Sequence, residues 1–131
     1  APMPGVLALL DRLEQSGVPK AVTTSSGKEF TAGVLGRFDL APRFQFQLCA
    51  EDVENGKPNP EIYLKAAERF DVAPSCMLVL EDSQIGFQAA RASGAICVAV
   101  PGDHSRNHNF PDAALILDSL KDPRLGELLR L

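Results

Sequence analysis

The stretch that decides the fold is MLVLEDSQIGFQAA, residues 77–90. Its apolar residues at 77–80 are followed directly by Glu81 and Asp82, which is the pattern of a buried strand with charge at its carboxyl end. Ser83 is a residue type that caps helices, and apolar residues recur after it with helical spacing. We therefore predict a strand over 77–80 that leads directly into a helix reaching to about residue 93.

The adjacent carboxylates of Glu81 and Asp82 suggest a function for the end of this strand. Two neighbouring negative charges repel each other, and a hard divalent cation beside them removes the repulsion. Because magnesium prefers oxygen ligands, the pair is a candidate Mg²⁺ site. An acidic, solvent-facing loop gives the same pattern, since negative charge is favourable at the N-terminus of a helix. The pair by itself leaves both interpretations open.

Strand-like and helix-like segments alternate along the rest of the chain. Apolar runs predict strands at 20–24, 44–50, 96–100 and 114–117, and helical spacing predicts helices at 5–16, 28–38, 61–70 and 120–131. Such alternation, with short loops, is typical of an α/β fold whose parallel sheet is covered by helices on both faces. We predict a three-layer, Rossmann-like parallel sheet in one domain over residues 1–131.

Composition and charge exclude several classes of function. The chain has 131 residues, a net charge of -4 and no run of lysine or arginine, so nucleic acid and anionic membranes are poor partners. Its apolar runs are shorter than a membrane span. Cys49, Cys76 and Cys97 lack CxxC spacing, which indicates buried, reduced thiols and a cytoplasmic location.

Polar residues follow three of the predicted strands. Thr24 and Ser25 follow the first, and Lys57 lies in the loop after the second. Glu81 and Asp82 end the third, and the carboxyl ends of parallel strands are where ligands bind in such sheets. A hydroxyl and an N–H at a helix start bind phosphoryl oxygens, and an ammonium balances their charge. With magnesium on the carboxylates, these residue types predict a phosphate site.

Three short motifs resemble those of a known family. TTSS at 23–26, GKPNP at 56–60 and LEDSQIG at 80–86 resemble motifs II, III and IV of the haloacid dehalogenase-like hydrolases, in the family's order. The sequence is most similar to the β-phosphoglucomutase and sugar-phosphatase branch, which includes pseudouridine-monophosphate phosphatases. The resemblance implies a magnesium-dependent phosphomonoester hydrolase that acts on a small phosphorylated metabolite through an aspartyl-phosphate. A phosphomutase of the same family is the alternative.

The resemblance also implies a role for each polar residue. Thr24 corresponds to the hydroxyl residue that contacts the transferring phosphoryl group, and Ser25 offers its backbone N–H to the phosphate. Lys57 corresponds to the catalytic lysine that bridges the phosphate and the nucleophile. Asp82 corresponds to the principal magnesium ligand, with Glu81 as an assisting ligand.

The sequence departs from the family at motif I. That motif is DxDx[TV], and its first aspartate is the nucleophile, whereas no aspartate of this chain is followed by another two positions later. In the family, the motif I strand lies between the strands that correspond to 20–24 and 77–80. We therefore expect the C-terminal portion of a hydrolase core, catalytically incomplete, with the cap domain also absent and residues 2–5 at the return from that cap. A missing N-terminal segment or a second copy of the chain would complete the sheet and pair its edges.

Two rival functions come from other classes of protein. A phosphoacceptor receiver domain also uses acids, a hydroxyl residue and a lysine, but there the acids come first in the sequence and here they come last. A non-catalytic interaction module derived from the family would explain the missing nucleophile. We prefer the enzyme, because Thr24, Lys57 and the carboxylate pair are all intact.

Simpler explanations exist for single residues. Thr24 alone would serve as a helix cap, and Lys57 before a proline as a solvated loop lysine. His104 and His108 have a metal-like interval of four, but they lie in a polar loop, so we favour solvent exposure for both. Arg106, in the same loop, is a minor candidate for contact with a phosphate.

Overall fold

The computed structural model describes residues 5–102, 105 and 108–131. Helices and strands alternate through most of this part of the chain. The helices are α1 (Val6–Gln15), α2 (Lys28–Arg37), α3 (Glu61–Phe70), α4 (Gln84–Ser93) and α5 (Pro123–Leu129). The strands are β1 (Ala21–Thr23), β2 (Phe46–Leu48), β3 (Leu78–Glu81), β4 (Ile96–Ala99) and β5 (Leu115–Ile116).

The strands are all parallel and form two separate sheets. β1 pairs with β2, with Val22 opposite Gln47. β3, β4 and β5 form the second sheet in that order, with Val79 opposite Cys97. Every connection between paired strands contains a helix or a long loop, as parallel pairing requires. The predicted parallel α/β fold is therefore confirmed.

Helices cover both faces of the strands, which gives three layers. On one face, α3 and α4 pack on the sheet through Ile62, Ala66 and Phe87. On the other face, α1 and α5 bury leucines such as Leu13 and Leu125 against β4. A third cluster joins α1 to α2. This amphipathic packing follows directly from the helical spacing of apolar residues in the sequence.

A gap separates the two sheets between β1 and β3. Within the described residues, β1 has a partner strand only on its β2 side and β3 only on its β4 side. The gap holds an apolar cavity of about 510 Å³, whose walls include Leu10, Val22, Leu78 and Leu80. The chain thus has two facing strand edges whose backbone groups make no ladder with each other, as expected for a sheet that lacks a central strand.

Most predicted boundaries agree with the structure, and the differences have local causes. The helix at 61–70 is confirmed with its bounds, and helices α1 and α4 are followed by Gly17 and Gly94 at positive φ, of 69° and 87°. The last helix is shorter than predicted, because Asp122 caps it and Pro123 occupies its first turn. The strand predicted at 44–50 is cut to three residues by short 3₁₀ turns on both sides. The expected burial of all three thiols is wrong at Cys76, which is exposed.

Every helix among the described residues is too short or too polar to cross a bilayer.

Candidate phosphate and metal site

A polar cleft opens at the carboxyl ends of β1 and β3. Its volume is about 430 Å³, and loops from three parts of the chain surround it. The lining residues are Thr23, Thr24, Ser25, Ser26, Lys57, Leu80, Glu81, Asp82, Ser83, Ile85 and Gly86. The cleft therefore lies where parallel α/β sheets bind their ligands.

The loop after β1 presents hydroxyl and N–H groups to this cleft. The backbone N–H of Thr24 still bonds to the carbonyl of Leu48 at 2.9 Å, which anchors the start of the loop to β2. Thr24 Oγ1 then accepts a hydrogen bond from the N–H of Ser26 at 3.1 Å. Thr24 thus stabilises the turn that precedes α2.

Helix α2 is capped by a distant residue. Gly27 occupies the cap position, and the Glu51 carboxylate accepts the N–H of Lys28 with both oxygens, at 3.0 and 3.1 Å. The suggestion that Thr24 is the helix cap is therefore wrong, because Thr24 lies too early in the loop. The capping carboxylate comes instead from the segment after β2, which ties the two loops together.

The loop that carries Lys57 is held on the N-terminus of α3. The Glu61 carboxylate accepts the N–H groups of Glu54 and Asn55, at 2.8 and 3.0 Å, and these bonds lower the pKa of that carboxyl. Lys57 follows this fixed segment, and its side chain is only 10% exposed. The lysine is thus directed inward, unlike a solvated loop lysine.

Glu81, the last residue of β3, is buried against Lys57. Its Oε1 lies 2.5 Å from the Lys57 Nζ, and the carboxylate side chain is 7% exposed. The hydroxyl of Tyr63 donates to the same oxygen. A Cβ atom on Gly86 would overlap the carboxylate, so any larger residue there would displace Glu81. Burial, and next the charge of Glu81, raise the pKa of Tyr63 far above its ordinary value, which keeps the hydroxyl protonated.

Asp82 differs from its neighbour, because it is exposed at the mouth of the cleft. Its backbone carbonyl accepts a hydrogen bond from Ser105 Oγ at 2.5 Å, and Ser105 Oγ in turn accepts the N–H of Gly102 at 3.0 Å. Ser83 Oγ accepts the N–H of Gly86 at 3.1 Å, so the predicted cap of α4 is confirmed. The backbone of Asp82 is therefore fixed on both sides, and the residue lines the cleft.

Comparison with known proteins assigns the chain to a family. Residues 1–100 match the family model described as haloacid dehalogenase-like hydrolase. The chain belongs to the haloacid dehalogenase-like hydrolases.

Relatives of this hydrolase chain include enzymes named as phosphatases. It is 35% identical over 130 residues to a haloacid dehalogenase-like hydrolase domain-containing protein of Arabidopsis thaliana. This match covers 97% of the chain and 41% of that protein. It is 36% identical over 131 residues to the phosphoglycolate phosphatase of Escherichia coli strain K12, with coverage of 94% and 50%. The chain thus spans about half the length of the curated relatives that it matches.

A solved structure shares the fold of the chain. The crystal structure of CbbY from Rhodobacter sphaeroides, in complex with phosphate, superimposes with a TM-score of 0.87 at 29% sequence identity. The match covers 92% of this chain and 55% of the CbbY chain. The arrangement of layers described above is therefore that of a haloacid dehalogenase-like core.

The site residues that the sequence singles out come together in this hydrolase fold. Thr24, Ser25, Lys57, Glu81 and Asp82 all line the one cleft. Their roles in binding phosphate and metal stay predictions.

The loop after β4 gives less information about its candidate residues. His104 and Arg106 lie outside the described residues. His108 is exposed, in agreement with the expectation of a solvated residue.

Three residues near the candidate site were missed by sequence reasoning. Tyr63, Gly86 and Ser105 contact Glu81 or Asp82. Tyr63 and Ser105 lie outside the three motifs, and Gly86 ends LEDSQIG without being given a role there. The available signal was weak: Tyr63 is the only tyrosine of the chain and lies on an otherwise apolar helix face.

The cleft offers oxygen donors that fit magnesium. Asp82 is exposed at the cleft, and Glu81 keeps its Oε2 outside the contacts that Oε1 makes with Lys57 and Tyr63, although Oε2 lies against Gly86. Within residues 5–102, 105 and 108–131, no three acidic, histidine or cysteine side chains gather around one point. A magnesium ion here would therefore need water or further oxygen atoms, as is common for this ion.

Proposed function

We propose that the chain forms the phosphate-binding part of a magnesium-dependent phosphomonoester hydrolase that acts on a small phosphorylated metabolite. One observation carries the proposal: hydroxyl, ammonium and carboxylate groups from three separate loops line a single cleft of about 430 Å³. Local structure does not require these loops to bring such groups together. A phosphoryl dianion with its metal ion is the ligand that this combination of groups suits.

Thr24 and Ser25 bind the phosphoryl oxygens in this proposal. Thr24 Oγ1 accepts its hydrogen bond from Ser26, so its own O–H proton remains available to a ligand. Ser25 is exposed at the start of the turn, where backbone N–H groups before a helix attract anions.

Lys57 supplies the positive charge. One of its three N–H donors is directed at Glu81, which leaves two for phosphoryl oxygens. A fixed ammonium stabilises the charge that develops on these oxygens during phosphoryl transfer.

Asp82, assisted by Glu81, holds the magnesium ion in this proposal. When bound, the ion neutralises negative charge on the phosphoryl group. The exposed carboxylate of Asp82 makes it the principal ligand, because Glu81 is already engaged by two donors.

We propose that the nucleophile is a carboxylate on an added strand between β1 and β3. Its oxygen attacks phosphorus, the bond from phosphorus to the ester oxygen breaks, and the departing oxygen takes a proton from water and leaves as the alcohol. Water then attacks the phosphorus of the aspartyl-phosphate, which releases inorganic phosphate and restores the carboxylate. Among the described residues, the only carboxylates that line the cleft are Glu81 and Asp82, and both have other roles here. This chain by itself is therefore expected to be inactive.

The unpaired edges of β1 and β3 support the added strand. A strand between them would occupy the apolar cavity and pair both edges at once. We propose that the strand comes from a further segment of the same protein or from a second copy. The free state of Cys49, Cys76 and Cys97 supports action in a reducing compartment such as the cytoplasm.

The test is a phosphatase assay with an aryl phosphate, with and without Mg²⁺. It is run on the full-length gene product and on this 131-residue chain. We expect turnover that depends on Mg²⁺ in the former and none in the latter. Turnover by this chain alone contradicts the nucleophile argument. A full-length product that binds phosphate without turnover supports the non-catalytic module, and transfer to a second sugar hydroxyl supports a phosphomutase.

A further inference from the structure

The hydroxyl of Tyr63 has a role that packing does not explain. Tyr63 is 2% exposed and lies on α3 among Ile62, Ala66 and Ala67, where phenylalanine would fill the same space. A buried hydroxyl is costly unless it has a hydrogen-bond partner. Its partner here is Glu81 Oε1, the same atom that the Lys57 ammonium contacts.

The three groups around Glu81 restrict it from different sides. Lys57 reaches Oε1 on a flexible four-carbon chain, so it cannot by itself fix the carboxylate. Tyr63 is rigid and approaches from α3, and Gly86 allows the carboxylate to lie directly against α4. The carboxylate is therefore held in one orientation by helices on the same face of the sheet.

The aromatic ring of Tyr63 also contacts Lys57. The ammonium lies 5.2 Å from the ring centroid, within the range of a cation–π interaction. Tyr63 thus affects Lys57 twice, through its ring and through its hydroxyl on Glu81. Replacement by phenylalanine separates the two effects, because the ring stays and the hydroxyl is lost.

We propose that Tyr63 is a positioning residue of the phosphate site, whose hydroxyl holds Glu81 so that the Lys57 ammonium faces the cleft. The inference rests on the proposed function, because it assumes that Lys57 binds a phosphoryl group. The phenol is the donor in this contact, because the ionised Glu81 carboxylate can only accept a hydrogen bond. Thr23, at the end of β1, and Tyr63 both line the cavity that separates β1 from β3.

The first measurement is the affinity of this chain for inorganic phosphate in excess Mg²⁺, by calorimetry. Tyr63→Phe should weaken phosphate binding about tenfold, the size of one hydrogen bond to a charged group. The matched control is Ser93→Ala, which deletes another buried hydroxyl, bonded to the carbonyl of Ala90 at 2.5 Å. Ser93 lies at the far end of α4, roughly 13 Å along the helix from its start, so this variant should bind phosphate like the wild type.

A second step separates positioning from a general structural role. In the Glu81→Gln background, Tyr63→Phe should change phosphate affinity less than about twofold, since its effect passes through Glu81. Where a phosphate affinity is too weak to measure, the readout is the signal of the Lys57 ammonium in proton–nitrogen NMR. This signal is assigned by its loss in Lys57→Arg. A held ammonium gives a slowly exchanging signal, and we expect Tyr63→Phe to broaden it.

The outcomes distinguish the inference from the function on which it rests. A folded Tyr63→Phe chain with wild-type phosphate affinity overturns the positioning role, as does an equal loss in both backgrounds. A wild-type chain that does not bind phosphate refutes the proposed function instead. The NMR signal then decides: an unchanged Lys57 signal in Tyr63→Phe overturns the inference, and a broadened one supports it.

Discussion

The cleft and the cavity lie between the same two strands, yet their walls have opposite chemistry. Thr23 and Leu80 line both of them. At the strand ends, the cleft is lined by hydroxyl, ammonium and carboxylate groups. Along the strands themselves, the cavity is lined mainly by aliphatic and aromatic side chains of α1, α3, β1 and β3.

This difference shows how one gap produces two kinds of binding region. Residues inside a strand that is covered on both faces are apolar, whereas the loops at its end are free to carry polar groups. The cavity has the character of a core that lacks one element, and the cleft has that of an anion site. The following predictions test this division, from the largest expected effect to the smallest.

The wall of the cavity should contribute less to stability than the closed core does. Phe87 is fully buried and packs edge-on to Phe110, with ring centroids 5.3 Å apart. Phe87→Ala should lower the free energy of unfolding by about 4 kcal/mol. Leu80 is 37% exposed between cavity and cleft, so Leu80→Ala should cost less than about 1 kcal/mol. Urea unfolding followed by circular dichroism measures both, and equal losses would contradict an open gap.

Within the cleft, Lys57 should be the most important residue for stability. Lys57→Ala leaves the buried Glu81 carboxylate without its cation, which should cost about 3 kcal/mol and abolish phosphate binding. The matched control is Lys28→Ala, whose lysine is 60% exposed in its ion pair with Asp52. It should change stability little, because exposed pairs contribute little. If the Lys57→Ala chain is as stable as the Lys28→Ala chain, the ion pair between Lys57 and Glu81 is solvated.

Gly86 tests the close contact between α4 and Glu81. Gly86→Ala should lower the free energy of unfolding by about 1–2 kcal/mol, because the added Cβ displaces the carboxylate. Gly33→Ala is the control in α2, where a Cβ meets nothing within 4 Å. It should stabilise the chain by about 0.5–1 kcal/mol through helix propensity. If both substitutions stabilise the chain, Glu81 has another position.

Asp82 should be important for ligand binding and unimportant for folding. Because its side chain is exposed, Asp82→Asn should change the free energy of unfolding by less than about 0.5 kcal/mol. The same variant should lose the Mg²⁺ dependence of phosphate binding, since a neutral amide is a poor magnesium ligand. Calorimetric titration with and without Mg²⁺ measures this, and an unchanged magnesium response would remove Asp82 from the metal site.

The smallest effect is expected at the polar border of the cavity. Lys20 lines the cavity and pairs with Glu14 at 3.4 Å. The hydrogen bond from Arg43 lowers the pKa of Glu14 from 4.5 to about 2, despite some desolvation. A carboxyl whose pKa is lowered by folding stabilises the fold when the pH is above the ordinary pKa of that group. This contribution is lost as the pH falls towards 2. Glu14→Gln should therefore reduce the fall in melting temperature between pH 4.5 and 2. Identical curves of melting temperature against pH for the variant and the wild type would contradict the interaction of Glu14 with Arg43.

The fold was predictable from the sequence to a large extent because its signals are local. Apolar spacing placed α3, and glycines after α1 and α4 marked where those helices end. The shortening of β2 was not predictable, since 3₁₀ turns on either side are weak local signals. The cap of α2 was missed because Glu51 is 23 residues away from Lys28.

The candidate site was predictable in its members and not in its internal contacts. Thr24, Lys57 and the carboxylate pair follow predicted strands, so topology alone brings them to one edge. The different environments of Glu81 and Asp82 could not be predicted from adjacent positions. They arise because Glu81 ends β3 against Tyr63 of α3 and Gly86 of α4, whereas Asp82 lies one residue beyond the strand and is exposed.

The sequence by itself determined the order of strands and helices, the parallel α/β architecture and the polar residues at the strand ends, because each depends on residue type and short-range spacing. Only the tertiary structure decided that Tyr63 and Lys57 share one oxygen of Glu81, and that Gly86 lies against the same carboxylate. Those features depend on the distances between elements packed from remote parts of the chain, which no local pattern encodes.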